Sequence, residues 1–536
     1  MYAKAGIGFK NRALAAVLAG MTVLASAAPV LAQQVTAFKQ AIAEGASRDD
    51  ALAEFYRARD YEPLWTGKSD RARRSALIKA LADAEVHGLP ATRYDDEVLK
   101  DLFKQAKTQR ALGVAEVEAS KMFLQYAQDL QSGILEPNKV VSDIKRSAPR
   151  RDRLAQLEAF SKSSPRAYLK KLVPDSPEYN RLLAAKMEYE RLLGKGGWGE
   201  TVPGKKLEPG DSGNSVVALR NRLIAMGYLR RTATTTYDAD IQKAVQAFQL
   251  DHGLLADGVA GDSTLSEINQ PVQARLQSII VAMERERWVG GDRGKRHVLV
   301  NIADFHARIM ENGKVAFKTR SVVGKNTGDR RTPEFSDVME HMVINPTWNV
   351  PRSIATKEYL PLLKKNPNAV SHLRLINSRG QVVSRDSVDF SQFTRRNFPF
   401  DIKQPPSNNN ALGLVKFMFP NKYNIYLHDT PAKSLFSRER RAFSHGCVRL
   451  KDPFDFAYEL LSKQEANPEA YFQNILATRR ETTVPLETPL PVHLIYRTAM
   501  TEAKGKVQFR RDVYGRDGQI FKALANAGVV LRAVQS

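Results

Sequence analysis

The hydrophobic period of this chain changes once along its length, and that change bounds what it can fold into. Up to about residue 290, apolar residues recur at helical spacing, as in LIKALADAEV, AAKMEYERLL and SVVALRNRLIAMGYL. From Arg296 they alternate instead, as in HVLVNIADFHARIMENGKVAFKTRSVVGK, where ENGK marks a turn between two runs of β-branched residues. The first pattern puts a buried stripe on a helix; the second puts a buried face on a strand. Helices therefore come first and strands afterwards, which predicts a multidomain α+β chain. Its 536 residues also exceed the roughly 250–300 that one core usually holds.

Punctuation divides the chain further. GKGGWGETVPGKKLEPGDSG, Gly194 to Gly213, is dense in Gly and reads as a linker. The expected order is a signal peptide at 1–32, a helical scaffold at 33–200, a small three-helix module at 206–271, a linker helix at 272–295, a mainly-β domain at 296–470, and a C-terminal extension at 471–536 packing on the β domain or the scaffold. In the small module, Val216, Leu219, Leu223 and Met226 share one helical face, and Ile241, Val245 and Phe248 share another. Within the β domain, SDVMEHMVINPTWNV and KYNIYLHD read as further strands. The interval at about 352–412, interrupted by FPFDIKQPPSNNN, reads as a helix-and-loop insertion of the kind that lids a site. The scaffold gathers no nucleophile, base and acid, and His87 reads as an ordinary loop residue.

The N-terminus has the order of a secretory signal: Lys4, Lys10 and Arg12, an apolar run from Ala13 to Ala28, then Val30-Leu31-Ala32 as a small-residue cleavage site. That run is short for a span of about 20 residues. The expectation is an exported chain in the periplasm, touching the inner membrane only before cleavage. Net charge is +23. For an exported protein the excess points to an anionic envelope surface rather than nucleic acid, with solvation alone as the other account.

Cys447 is the only cysteine, so it cannot form an internal disulfide; it is inert, paired with another chain, or reactive. A thiol with a free pKa of about 8.5 needs a base or a positive neighbour to become a nucleophile. Alternation in KYNIYLHD sets Tyr423, Ile425 and Leu427 on one face and Asn424, Tyr426 and His428 on the other, so Tyr426 and His428 emerge together. Gly446 permits a sharp turn beside the thiol, and Asp452-Pro453 reads as a helix start, which places Cys447 on a strand-to-helix connection. Metal ligation by His428, His445 and Cys447 is disfavoured, since there is no second cysteine and no HExxH helix. No metal and no cofactor is expected. A papain-like arrangement is excluded by the order of Cys and His in the chain.

Two stretches resemble known families. LRNRLIAMGYL, AVQAFQLDHGL and DGVAGDSTL are similar to the type 1 peptidoglycan-binding module, which can bind wall or act as a spacer. HDTPAKSLFSRERRAFSHGCVRL resembles the signature of the L,D-transpeptidase (YkuD-type) catalytic domain, with His428 and Cys447 separated by 19. The order of domains, and the tail LPVHLIYRTAM…GKVQFRRDVYGRD, are similar to the long periplasmic members of that family. This resemblance implies that Cys447 attacks the carbonyl of the L-centre of diaminopimelate in a tetrapeptide stem, expelling D-Ala and leaving a thioester. It implies His428 as the general base, Ser444 and His445 as residues that shape the site, and the amides around Gly446 and Cys447 as oxyanion donors. It also implies acylation of Cys447 by carbapenems.

Other assignments stay open in the sequence. Tyr426 points at substrate or packs; Trp348 lines the groove or belongs to a core. Arg449, where many members have Asn, holds a stem carboxylate or forms a structural ion pair. The loop SRERR, Ser437 to Arg441, attracts anionic stems or is merely solvated. The acceptor would be a second stem, giving 3-3 diaminopimelate cross-links. An outer-membrane protein amine, a D-amino acid or water would be same-chemistry alternatives, and a non-catalytic wall-binding scaffold the alternative of another class.

Overall fold

The computed structural model describes residues 36–289 and 293–534, and the expected signal peptide lies outside them. No helix among the described residues is long and apolar enough to cross a membrane.

The N-terminal helices pack around the helix Gln109–Ser132, whose first turn is capped by the Thr108 hydroxyl. Glu116 on that helix is fully buried. Its carboxylate accepts from the amides of Trp65 at 3.0 Å and Thr66 at 2.9 Å and from the Tyr56 hydroxyl at 3.0 Å, which folds the Pro-broken segment YRARDYEPLW onto the helix. A buried carboxylate is tolerated because its lone pairs are taken up by donors.

The small module is three helices, Asn214–Ala225, Ala239–Asp251 and Asp262–Ile268. Val216, Leu219, Leu223, Ile241, Val245 and Phe248 form its core, with Met226 at the edge.

Helix Val272–Val289 does more than connect. It is buried along nearly all its length, including Glu284, Arg285, Glu286 and Arg287. Each charge is met: Arg285 by Glu334 at 2.7 Å and Asp517 at 2.8 Å, Arg287 by Glu284 at 2.9 Å, and Glu286 by Arg497. The segment expected as a linker helix is in the fold a central beam shared by scaffold, β domain and C-terminal segment.

The β domain begins with β1 (Arg296–Asn301), β2 (His306–Glu311), β3 (Lys314–Gly324), β4 (Phe335–Ile344) and β5 (Trp348–Asn349). Then follow β6 (Arg374–Ile376), β7 (Val382–Val383), β8 (Asp401–Gln404), β9 (Val415–Met418), β10 (Leu427–His428), β11 (Ala442–Ser444), β12 (Val448–Leu450) and β13 (Thr482–Ile495). Nine of them form one sheet, β11-β3-β12-β10-β9-β4-β13-β1-β2, and an added β2–β3 pairing closes it on itself. Inside lies the core of Val298, Val300, Met342, Phe417, Leu427, Val448 and Leu450, covered by Phe456 and Leu460 of helix Pro453–Leu461.

Two expected boundaries move. β13 lies between β4 and β1 and pairs with both, so the domain expected to end at 470 takes a central strand from the supposed C-terminal extension. The insertion expected at 352–412 already starts at β5 and contains its own four-stranded sheet, β5-β8-β6-β7. Trp348, Leu360, Leu363, Leu375, Phe390, Phe398, Ile402 and Leu412 give it a separate core. Strands of two to four residues are too short to show a period, which is why the interval reads as loop.

Candidate active site

The thiol is presented by a tight turn between β11 and β12. Cys447 therefore sits on a strand-turn-strand connection, one strand short of the expected helix start. Asp452 precedes that helix without capping it; its carboxylate accepts from the Thr319 hydroxyl at 2.9 Å instead. Ser444 builds the turn: its hydroxyl donates to the Cys447 carbonyl and accepts from the Gly446 amide at 3.2 Å. Gly446 has φ +121°, so the backbone favours glycine, and an added Cβ would stand 3.1 Å from Ile425 Cδ1, which would have to give by a few tenths of an ångström. Its carbonyl accepts from the Thr332 hydroxyl at 2.6 Å. The Gly446 amide is thus occupied within the turn and is not a free oxyanion donor.

The second half of the site is the segment Asn421 to His428. Only Leu427 and His428 are strand; Asn424 has φ +55°, so KYNIYLHD is mostly turn rather than the expected strand. Asn421 shapes it, accepting from the amides of Tyr423 at 3.0 Å and Ile425 at 3.2 Å and donating to the carbonyls of Phe419 and Ile425. The facing still holds at the end that matters: Ile425 and Leu427 enter the core, while the Tyr426 and His428 rings lie 5.6 Å apart. Cys447 rests on this turn. Its thiol donates to the Asn424 carbonyl at 3.5 Å, and the Tyr426 amide and hydroxyl both interact with the sulfur. Asn421 and Asn424 were not singled out in the sequence; the paired asparagines in PNKYN, residues that tolerate left-handed backbone, were the available signal.

His428 is buried beside the Tyr426 ring. Its Nδ1 donates to the Asp429 carbonyl and its ring also meets the Leu412 carbonyl; none of its contacts is with the thiol. Burial, and then the Arg449 guanidinium, bring its pKa down to about 3. Burial likewise pushes the half-buried Cys447 thiol up to about 11, opposed by Tyr426 and Arg449. The resting pair is a neutral thiol and a neutral imidazole. Asp429 fixes the histidine's own backbone: its carboxylate accepts from the Leu414 amide at 2.9 Å and is salt-bridged to Lys433.

The insertion closes over this arrangement. Trp348 belongs to its core and also reaches the Tyr426 hydroxyl. Tyr426 packs between the two cores. His445 turns away from the thiol and toward the insertion, its Nε2 lying 2.8 Å from Glu358 Oε1. Glu358 sits in a π-turn, Ala355–Tyr359, and also accepts from Arg330 at 2.6 Å. Arg449 forms no structural ion pair among the described residues. The SRERR loop is largely a docking contact: Glu439 accepts from Ser263 of the small module at 2.8 Å, and buried Arg441 donates to backbone carbonyls of Ser321 and Phe305. Among the described residues no cluster of His, Cys, Asp and Glu fit for a metal ion is found.

This turn-held thiol on a closed sheet coincides with a known domain. Residues 295–484 match the YkuD family model, described as an L,D-transpeptidase catalytic domain. Residues 50–185 match a scaffold domain, and 212–268 a domain provisionally described as peptidoglycan binding. The chain carries a YkuD-family L,D-transpeptidase catalytic domain together with a scaffold domain and a peptidoglycan-binding module. A Haemophilus influenzae protein provisionally named an L,D-transpeptidase is 33% identical over 240 residues, which is 44% of this chain and 48% of the relative. The chain thus spans about half the length of that curated relative. Solved L,D-transpeptidase structures from Xylanimonas cellulosilytica and Stackebrandtia nassauensis align at 17% and 16% identity over 55% of this chain and 100% and 97% of theirs. Their TM-scores of 0.18 and 0.22 are too low to add to the argument.

Proposed function

We propose that this protein is an exported peptidoglycan L,D-transpeptidase acting through a thioester on Cys447. The observation that carries the proposal is the thiol itself: the chain's single cysteine, held on the Asn424–Tyr426 turn beneath the insertion, in the domain matched to this family. In the first half-reaction the sulfur attacks the carbonyl of the L-centre of diaminopimelate. The C–N bond to D-Ala breaks, a C–S bond forms, and the thiol proton leaves on the expelled amine. In the second, an acceptor amine attacks the thioester, C–N forms, C–S breaks, and the proton returns to sulfur. His428 relays the proton in both steps, its neutral state being the one a base requires. Because His428 does not touch the resting thiol, Tyr426, which touches sulfur and adjoins the histidine ring, bridges the two until substrate is bound. With the Gly446 amide occupied, the Cys447 amide is the oxyanion donor of this turn.

The acceptor is a second stem, giving 3-3 diaminopimelate cross-links, and the small module holds the enzyme on the wall. Purified protein incubated with disaccharide-tetrapeptides, with products read by mass spectrometry, tests this. Cross-linked dimers with release of D-Ala are expected. Free disaccharide-tripeptide alone would make the acceptor water, and an unchanged substrate with retained wall binding would make the protein a scaffold.

A further inference from the structure

Arg449 is a half-buried cation whose guanidinium finds no partner among the described residues. β10 and β12 run parallel with His428 directly opposite Arg449. Their neighbours Leu427, Val448 and Leu450 all enter the core, so the imidazole and the guanidinium share the other face of the sheet. Among the described residues Arg449 makes no hydrogen bond and no ion pair, and its Nε is buried without a partner. The fully buried arginines find partners even though Arg285, Arg287 and Arg516 each keep one unpartnered nitrogen. Arg285, Arg287, Arg497 and Arg516 each meet a carboxylate, and Arg222 and Arg441 are satisfied by backbone carbonyls. Lys416, opposite His428 on β9, has Glu481 as its charged neighbour. Leaving a guanidinium partly desolvated and unpaired costs folding free energy that a bound anion would return.

Three kinds of anion meet this site in the proposed reaction: a cysteine thiolate, the tetrahedral oxyanion already assigned to the Cys447 amide, and a substrate carboxylate. The sulfur already has the Tyr426 amide and hydroxyl. A planar guanidinium fork matches a carboxylate with two parallel hydrogen bonds, which a single sulfur cannot offer. Cys447 and Arg449 stand two residues apart and their side chains interact electrostatically, so the guanidinium lies beside a carbonyl bound at the sulfur. That spacing suits a ligand whose reacting carbonyl and terminal carboxylate are one residue apart.

We propose that Arg449 binds the free C-terminal carboxylate of the donor stem, the carboxylate of the residue that is expelled. This rests on the L,D-transpeptidase reading and gives it a specificity element: donors must end one residue beyond the attacked carbonyl, in a free carboxylate.

The test compares a disaccharide-tetrapeptide ending in a carboxylate with the same compound ending in a carboxamide. Leaving-group release by the full-length protein is measured for wild type, Arg449→Lys and Arg449→Gln. Wild type is expected to favour the carboxylate by at least about tenfold in kcat/KM, the scale of a lost charged hydrogen bond. Arg449→Gln brings the ratio to near one through a raised KM, and Arg449→Lys keeps part of it. In parallel, binding of both compounds is measured by calorimetry on Cys447→Ala, alone and combined with Arg449→Gln. A carboxylate preference in binding that Arg449→Gln removes supports the inference even if wild type turns over neither compound, which would sink the reaction alone. No preference in wild type, or a preference surviving Arg449→Gln, overturns it. So does an equal loss for both compounds with a shift in the pH dependence of Cys447 alkylation, which would make Arg449 a thiolate partner.

Discussion

Burial acts on Cys447 and His428 in opposite directions, raising the thiol to about 11 and lowering the imidazole to about 3. At neutral pH neither group is charged, so the thiolate must be generated during the reaction rather than stored. Iodoacetamide alkylation of Cys447 should therefore rise about tenfold per pH unit from about pH 7 to about pH 10, levelling only toward the raised pKa. A plateau near neutrality would mean a preformed thiolate-imidazolium pair and contradict this site. His428→Gln should leave that profile in place, since the two groups do not touch at rest, yet slow acylation by about 10²–10⁴-fold. The sequence singled out Cys447 and His428 because their spacing resembles a family signature. It could not say that Tyr426 meets the sulfur and adjoins the His428 ring, or that Ser444 occupies the Gly446 amide, because both depend on where a turn places a side chain.

At the scale of elements, the site is two turns clamped by an insertion. The clamp is ionic: Glu358 bonds His445 of the catalytic turn and Arg330, and Lys357 pairs with Asp329 at 2.6 Å. These groups are partly exposed, so each pair is worth little alone. Their effect is to hold the π-turn against Ser444–Cys447. Glu358→Gln should leave stability within about 0.5 kcal/mol while raising KM for the donor and quickening exchange of amides in 355–359, read by hydrogen exchange. Unchanged exchange and kinetics would remove the clamp from the account. The sequence made the insertion legible as an interruption of the strands but not as a small sheet with its own core, because two-residue strands have no period. The Asn421–Tyr426 turn was misread for the related reason that Ile425 and Leu427 keep strand-like facing across a backbone that is not a strand.

Across the whole molecule, the domains meet at Glu334. Its carboxylate receives Arg285 of the central helix at 2.7 Å and Arg516 of the C-terminal helix at 3.0 Å. Its backbone exchanges hydrogen bonds with the scaffold, from the Lys145 amide at 2.7 Å and to the Asp143 carbonyl at 2.9 Å. Two residues earlier, the Thr332 hydroxyl holds the Gly446 carbonyl and the Thr332 carbonyl receives Arg516. The junction of scaffold, central helix and C-terminal segment thus reaches the catalytic turn through one threonine. Arg285→Met strands Glu334 and Asp517 in part, and should cost about 3 kcal/mol, seen in calorimetry as a scaffold transition that separates from that of the β domain. A single transition at the original temperature would mean the junction carries no such weight. None of this was legible in the chain, since ERER is as compatible with a solvated helix as with a buried one whose Arg285 and Glu286 are met by partners distant in sequence.

The central claim is a covalent one, and intact-protein mass measures it most directly. Full-length protein incubated with a disaccharide-tetrapeptide and quenched in acid should gain the mass of the disaccharide-tripeptide acyl group, mapped to Cys447 and absent from Cys447→Ala. Wild type that gains no mass while its thiol remains alkylatable, or an adduct that persists in Cys447→Ala, would contradict it.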